Sequence, residues 1–142
     1  MIRRFAHGFR IRDMEELRFG ITLDDRPARV QEMGGRDFTV IGAVSSYQEI
    51  GVDAEGRLFL LDPTPSTPSL LNTTMDAFRG FLKAFDEFYA GEPAPDSGEE
   101  PLVPRRKRLR LLKKQLNAVD TEAIAKDLYW CVIVEQIEDA IL

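Results

Sequence analysis

Three short segments in the first half of the chain combine apolar, β-branched and aromatic residues in patterns typical of β-strands. They cover residues 37–42, 47–52 and 57–61. The third contains the run Leu-Phe-Leu-Leu, which is too apolar for a strand with one face in water, so we expect it to be central and covered on both faces. Because short connections favour antiparallel neighbours, these segments predict an antiparallel sheet.

Turn and cap residues surround these strands. The sequence Asp-Ala-Glu-Gly that ends at Gly56 predicts a hairpin turn, with the glycine at positive φ. After the third strand, three prolines predict a loop in extended geometry: Pro63, Pro65 and Pro68. Near the start, Asp13 predicts the N-cap of a short helical turn that Gly20 closes, and residues 21–23 and 29–32 predict short edge strands.

Helical periodicity dominates the second half of the chain. We expect a helix to begin at Asn72 or Thr73, either of which can cap it, with Asp76 near its positive end. Its apolar side chains recur at helical spacing and predict core packing: Met75, Phe78, Phe81, Leu82, Phe85, Phe88 and Tyr89. A final helix from about Asp127 contains Cys131 as a small buried residue. Its apolar stripe is Trp130, Ile133, Val134, Ile137 and Ile141.

A loop and a basic helix lie between these two helices. Residues 91–104 are rich in proline, glycine and acids, which predicts a flexible internal loop. In the helix that follows, Leu109, Leu112 and Leu116 share one face. Its cations are Arg105, Arg106, Lys107, Arg108, Arg110, Lys113 and Lys114. They are interpreted as a solvated face that answers the acids of the loop, or as a patch for nucleic acid or an anionic membrane surface.

The composition bounds the class of protein. With 142 residues, 44% of them hydrophobic and 30% charged, the chain is expected to form a single domain over residues 1–142. Its apolar runs are too short to cross a bilayer and its start does not read as a secretory signal, so we expect a cytoplasmic protein without a membrane partner. The net charge of −5 and the lack of aromatic residues among the basic ones favour a basic protein partner over nucleic acid.

Few residues in the chain can carry chemistry. One histidine, His7, and one cysteine cannot assemble a thiolate or imidazole metal cluster, and a nucleophilic site would need His7 as its base. The pair Asp24 and Asp25 follows an apolar run and is interpreted as a turn. Phosphate-loop, dinucleotide and zinc-protease motifs are absent from the sequence. We therefore predict a protein that is not an enzyme, with no catalytic residues, no metal and no cofactor.

Several of these motifs occur in an order that resembles the SUKH superfamily. The matching positions in the first half of the chain are Ile41-Gly42, Gly51-Val52-Asp53, the run from Gly56 to Asp62, Asn72-Thr73-Thr74 and the Phe-rich helix. The tail resembles the actinobacterial branch usually numbered fourth, through Val119-Asp120 and the run that begins Tyr129-Trp130. The resemblance covers residues 37–88 and 117–137.

This resemblance implies an α+β fold with an antiparallel sheet flanked by helices. It implies an immunity protein, which binds and neutralises a cognate bacterial toxin, for example a nuclease, by occlusion and without catalysis. We predict that Tyr47, Glu49, Asp53 and Glu55 face the toxin, because they lie on one strand and its hairpin turn. Two alternatives stay open: a protein-binding adaptor of the same superfamily, and binding of nucleic acid or an anionic surface through residues 105–114.

Overall fold

A computed structural model describes residues 14–16, 18–24, 29–44, 48–63, 66–92 and 103–141 of the chain. The chain forms two compact units, residues 1–70 and residues 71–142. Within the described residues, an antiparallel sheet is followed by three α-helices, so the fold class is α+β as predicted. Most of the predicted loop, residues 93–102, lies outside the described residues.

The strands of the sheet are β1 (Met14–Glu16), β2 (Ile21–Asp24), β3 (Val30–Met33), β4 (Arg36–Val44), β5 (Gln48–Val52), β6 (Leu58–Pro63) and β7 (Ser66–Asn72). They follow the order β1-β2-β4-β5-β6-β7, and β3 pairs with β4. The three strands predicted from the pattern are β4, β5 and β6, and antiparallel pairing joins them in sequence. The two short strands predicted before them are β2 and β3, which both pair with β4.

Two sequence predictions are wrong in the first unit. The helical turn expected to begin at Asp13 is replaced there by strand β1, because Met14 pairs with Asp24 and the register continues to Glu16. A 3-10 turn at Arg18–Gly20 follows, so only the end of the expected turn at Gly20 agrees with the prediction. The proline loop expected after β6 is strand β7, which ends the strand order. Proline lacks a backbone N–H, but an edge strand leaves some of its N–H positions without a ladder partner, so Pro68 is tolerated there.

The core of the first unit lies around β4 and β6. Met33, Phe38, Phe59 and Leu61 form a buried cluster, and the rings of Phe38 and Phe59 meet edge to face with centroids 5.4 Å apart. All four residues of the apolar run in β6 are buried, which confirms the expectation of a strand covered on both faces. Gly51 makes this packing possible, because a Cβ atom at that position would lie 2.7 Å from Cβ of Phe38.

The second unit contains the helices α1 (Met75–Ala90), α2 (Arg105–Val119) and α3 (Tyr129–Ile141), with a 3-10 turn at Thr121–Ile124. The N-cap of α1 is Thr74, whose hydroxyl accepts a hydrogen bond from the N–H of Ala77 at 3.0 Å. The predicted caps, Asn72 and Thr73, are therefore wrong; both side chains instead hydrogen-bond to Asp120.

Aromatic packing forms the core of the second unit. Trp130 of α3 has no exposed surface and lies against α1, where its ring stacks on Phe85 at 5.3 Å and meets Phe81 edge to face at 5.6 Å. The predicted leucine face of α2 is buried as well, with Leu112 and Leu116 each 1% exposed. Fully burying one such side chain contributes roughly 1.5–3 kcal/mol, so this aromatic face is a main source of stability for the unit.

Candidate partner-binding surfaces

The hairpin formed by β5 and β6 carries the residues predicted to face a partner. Tyr47 lies outside the described residues, so the structure adds nothing about it. Glu49 lies on β5 and pairs with Arg29 at the surface, where 39% of the glutamate side chain remains exposed. Glu55 is exposed in the turn. Gly56 adopts a φ of 84° there, as the turn sequence predicted.

Asp53 holds the hairpin turn from inside. Its carboxylate accepts hydrogen bonds from the backbone N–H groups of Glu55 and Arg57, each at 2.9 Å, and pairs with Arg36 at 2.8 Å. Burial raises the pKa of Asp53, but these two hydrogen bonds and the nearby arginine charges outweigh burial, so the net pKa is lowered. With only 7% of its side chain exposed, Asp53 shapes the turn that presents Glu55.

The basic helix does not present all of its predicted cations at the surface. Arg108 is buried, and it donates to the carbonyl oxygens of Phe88 at 2.6 Å and Val103 at 3.1 Å. Its third contact is the carboxylate of Glu92 at 3.1 Å, which also pairs with Arg105 at 2.7 Å. We call this arrangement, formed by these five residues, the Arg108 clamp. It joins the two ends of the loop at residues 93–102. The pairing of Arg105 and Arg108 with Glu92 agrees with the interpretation that the cations answer the acids of the loop, but Arg108 is buried and does not lie on a solvated face.

Five of the predicted cations remain exposed on α2, and four of them make no salt bridge within the described residues: Arg106, Lys107, Arg110 and Lys114. We call them the basic stripe. Lys113 is exposed too, but it pairs with Glu138 of α3 at 3.0 Å. The structure therefore divides the predicted patch into three residues with internal ion pairs and a stripe of four on the solvent side of the helix.

A buried polar network joins segments that are far apart in the sequence. The carboxylate of Asp120 accepts hydrogen bonds from Asn72 Nδ2 at 3.1 Å, from the Thr73 N–H at 2.8 Å and from the Thr73 hydroxyl at 3.1 Å. The indole N–H of Trp130 donates to Oδ1 of Asn72 at 2.9 Å. Asn72, Asp120 and Trp130 are all buried, so each polar atom in this network has a partner where water has little access. The spacing of these residues in the sequence gave no signal that they would meet.

A groove of about 260 Å³ lies between α2 and α3. Apolar side chains line it, including Leu116, Ile124 and Val134, and Glu135 stands at its rim with Cys131. The volume is below the roughly 300–1,000 Å³ usual for small-molecule pockets, so the groove alone does not indicate a ligand site.

Cys131 is partly exposed in this groove, which corrects the prediction of a buried thiol. Its position one residue from Trp130 places it beside the buried stripe of α3 and not within it. The Cys131 thiol donates to Oε1 of Glu135 at 3.4 Å. Partial burial, and then the hydrogen bond and negative charge of Glu135, raise the pKa of Cys131, so the thiol form is favoured at neutral pH.

Neither a metal-binding cluster nor a membrane-spanning helix is found among the described residues. No group of three or more His, Cys, Asp or Glu side chains among them could hold a metal ion. None of the helices in the described ranges is both long enough and apolar enough to cross a membrane. His7 and Asp25 lie outside the described residues, and Asp24 is the last residue of β2.

Comparisons of this chain with protein-family models, with curated proteins and with solved structures give no match. The resemblance to the SUKH superfamily therefore depends on the quoted sequence motifs and stays a hypothesis.

Proposed function

We propose that this chain is an immunity protein of the SUKH type, which binds a cognate toxin and neutralises it by occlusion. One observation supports the proposal most. Three of the separate segments on which the resemblance depends, at Asn72-Thr73, Asp120 and Trp130, meet in one buried network. If the short motifs matched the superfamily only by chance, their polar residues would not be expected to contact one another in the folded chain.

In the proposed role, residues 1–142 form one SUKH-like domain whose helices flank the sheet, as the resemblance implies, and the protein acts in the cytoplasm. The chain needs no cofactor for this role, because occlusion depends on shape and charge. Its net charge of −5 suits a basic partner, since opposite charges speed association and select against wrong partners.

The hairpin carries the proposed contact surface. The ion pair between Glu49 and Arg29 is exposed, and such pairs contribute only about 0–1 kcal/mol, so a toxin cation can replace Arg29 at little cost. Glu55 is presented by a turn that Asp53 fixes through two backbone hydrogen bonds. This arrangement offers the carboxylates of Glu49 and Glu55 on a hairpin whose turn geometry is set before the partner arrives, which lowers the ordering cost of binding.

Co-expression with a toxin domain taken from a neighbouring gene tests the proposal. We expect growth to be rescued and the two proteins to purify as one complex. Failure of the wild-type chain to rescue growth or to form a complex would refute immunity and favour the adaptor alternative.

Charge reversal tests the contact surface separately. Glu49→Lys with Glu55→Lys should raise the Kd by at least about 100-fold, taking about tenfold for each lost charge pair. Glu135→Lys with Asp139→Lys is the matched control, because it makes the same change in net charge at two exposed positions of α3, outside the hairpin. Asp53 is excluded from this test, since reversing its charge would break the turn. Equal binding by the double variant and the wild-type chain would show that the hairpin is not the contact surface.

A further inference from the structure

The basic stripe is regularly spaced along one side of α2. Arg106, Arg110 and Lys114 follow one another at intervals of four residues, and Lys107 stands next to them. Eight residues of helix rise about 12 Å, so four positive charges lie along that length. All four side chains are exposed.

No carboxylate among the described residues forms a salt bridge with this stripe. The cations with carboxylate partners on α2 are Arg105, Arg108 and Lys113, and none of them belongs to the stripe. Like charges four residues apart on a helix are unfavourable by about 0.2–0.5 kcal/mol per pair, and the stripe contains two such pairs. Arg106 and Lys107 also lie in the first turn, where the helix dipole disfavours cations. The arrangement lowers the stability of the free helix, and a polyanion would remove that cost.

The stripe lacks the features that single-stranded nucleic acid or a membrane would need. It contains no aromatic residue on which a base could stack. A membrane-surface helix needs an apolar face toward the lipid, but Leu109, Leu112 and Leu116 of α2 are buried within the unit. Leu111, which is 55% exposed, is a single apolar residue beside the stripe. Evenly spaced point charges without these features match a row of phosphates.

We infer that the basic stripe binds the phosphate backbone of duplex nucleic acid, without reading its sequence. This activity goes beyond toxin neutralisation and does not depend on it. Four phosphate contacts limit the salt dependence, because log K falls with log salt at a slope of about −0.9 per contact, or about −3.6 in total. The net charge of −5 opposes association, so we expect a Kd near the weak end of sequence-independent binding, about 10⁻⁴ M at physiological salt.

Fluorescence anisotropy of a labelled 16-base-pair DNA duplex, titrated with the full chain at several salt concentrations, tests the inference. We expect saturable binding that weakens by about 150-fold between 50 and 200 mM salt, and equal binding to a second duplex of unrelated sequence. Arg110→Gln with Lys114→Gln should reduce the slope by about 1.8. The matched control is Lys83→Gln with Lys126→Gln, which makes the same change in net charge at exposed positions outside α2.

Three results would overturn the inference. One is the absence of saturable duplex binding at 20 mM salt. Another is an equal loss of binding in the control variant, which would mean that only overall charge matters. The third is binding to vesicles that contain phosphatidylserine with none to the duplex, which would assign the stripe to a membrane surface. Unchanged emission of Trp130 verifies that each variant is folded.

Discussion

Replacing Asp120 with alanine removes the acceptor of three hydrogen bonds at once and gives the sharpest test of the buried network. The donors left behind are the side-chain amide of Asn72 and both the N–H and the hydroxyl of Thr73. Asn72 has no exposed surface, so its amide cannot find water, whereas Thr73 is half-buried and can be partly hydrated.

The size of the loss follows from these two environments. A buried donor left without a partner costs about 1–3 kcal/mol, and each lost hydrogen bond to a charged group is worth about 1.5–3 kcal/mol before rehydration. Allowing for rehydration at Thr73, we expect Asp120→Ala to lower the free energy of unfolding by about 3–5 kcal/mol. That is a large share of the roughly 5–15 kcal/mol available to a typical domain. Asp120→Asn keeps one acceptor oxygen for Asn72 and the Thr73 N–H, and its amide N–H can donate to the Thr73 hydroxyl, which also accepts, so its loss should be smaller.

Urea unfolding followed by tryptophan fluorescence measures this loss directly. Trp130 is the only tryptophan of the chain and belongs to the network, so its emission reports on the second unit. With a slope of about 2 kcal/mol per M, the midpoint should fall by about 2 M. Asp139→Ala is the matched control, because Asp139 is an exposed acid on α3, and we expect it to stay within about 0.5 kcal/mol of the wild-type chain.

A double-mutant cycle separates a network from a set of independent bonds. If Asn72 and Asp120 act together, the loss in the double alanine variant should be smaller than the sum of the two single losses. A loss below about 1 kcal/mol for Asp120→Ala, or full additivity in the cycle, would refute the reasoning.

Three further predictions concern the clamp, the thiol and the hairpin. Gly91→Ala should destabilise the chain by about 1–3 kcal/mol in the same urea assay, because its Cβ would lie 2.6 Å from Cδ of Arg108, and moving that side chain would disturb its bonds to Phe88, Val103 and Glu92. An unchanged midpoint would contradict this. Iodoacetamide should alkylate Cys131 more slowly at pH 8 than it alkylates a free cysteine, since the pKa of the thiol is raised. Glu135→Gln should speed this alkylation, as followed by mass spectrometry, and a slower reaction in the variant would contradict the assigned cause. Because folding lowers the pKa of Asp53, its stabilising contribution should be complete above about pH 4 and lost as pH falls through the folded pKa. The difference in unfolding free energy between the wild-type chain and Asp53→Asn, measured by urea unfolding with far-UV circular dichroism, should therefore shrink on acidification. A difference that grows would exclude this linkage.

The strands β4, β5 and β6 could be predicted because their signals are local. The apolar run of β6, the turn that ends at Gly56 and the β-branched residues of β4 each specify their own conformation. The strands β1 and β7 could not be predicted from their own residues, because pairing with the neighbouring strands β2 and β6 decides them. Met14 is a strand residue only because Asp24 lies opposite it, and the prolines near β7 disfavour a strand by local propensity alone.

The charge run of α2 concealed a signal that was present in the sequence. Arg108 precedes Leu112 by four residues, and Arg105 precedes Leu109 by four, so both arginines fall on the apolar face of the helix. Counting them with the leucines would have predicted two buried or half-buried cations that need acceptors. The acceptors themselves could not be predicted, since two of them are backbone carbonyls, that of Phe88 near the end of α1 and that of Val103 just before α2.

The Arg108 clamp also bears on how this chain could be rebuilt. Its contacts are made by Phe88, Glu92, Val103, Arg105 and Arg108, and none of these lies within residues 93–102. The loop-closure part of the cost of lengthening that segment is about 0.6 kcal/mol for each doubling. A reporter domain inserted there leaves every residue of the clamp in place, so side-chain contacts hold the end of α1 to the start of α2 in addition to the covalent backbone.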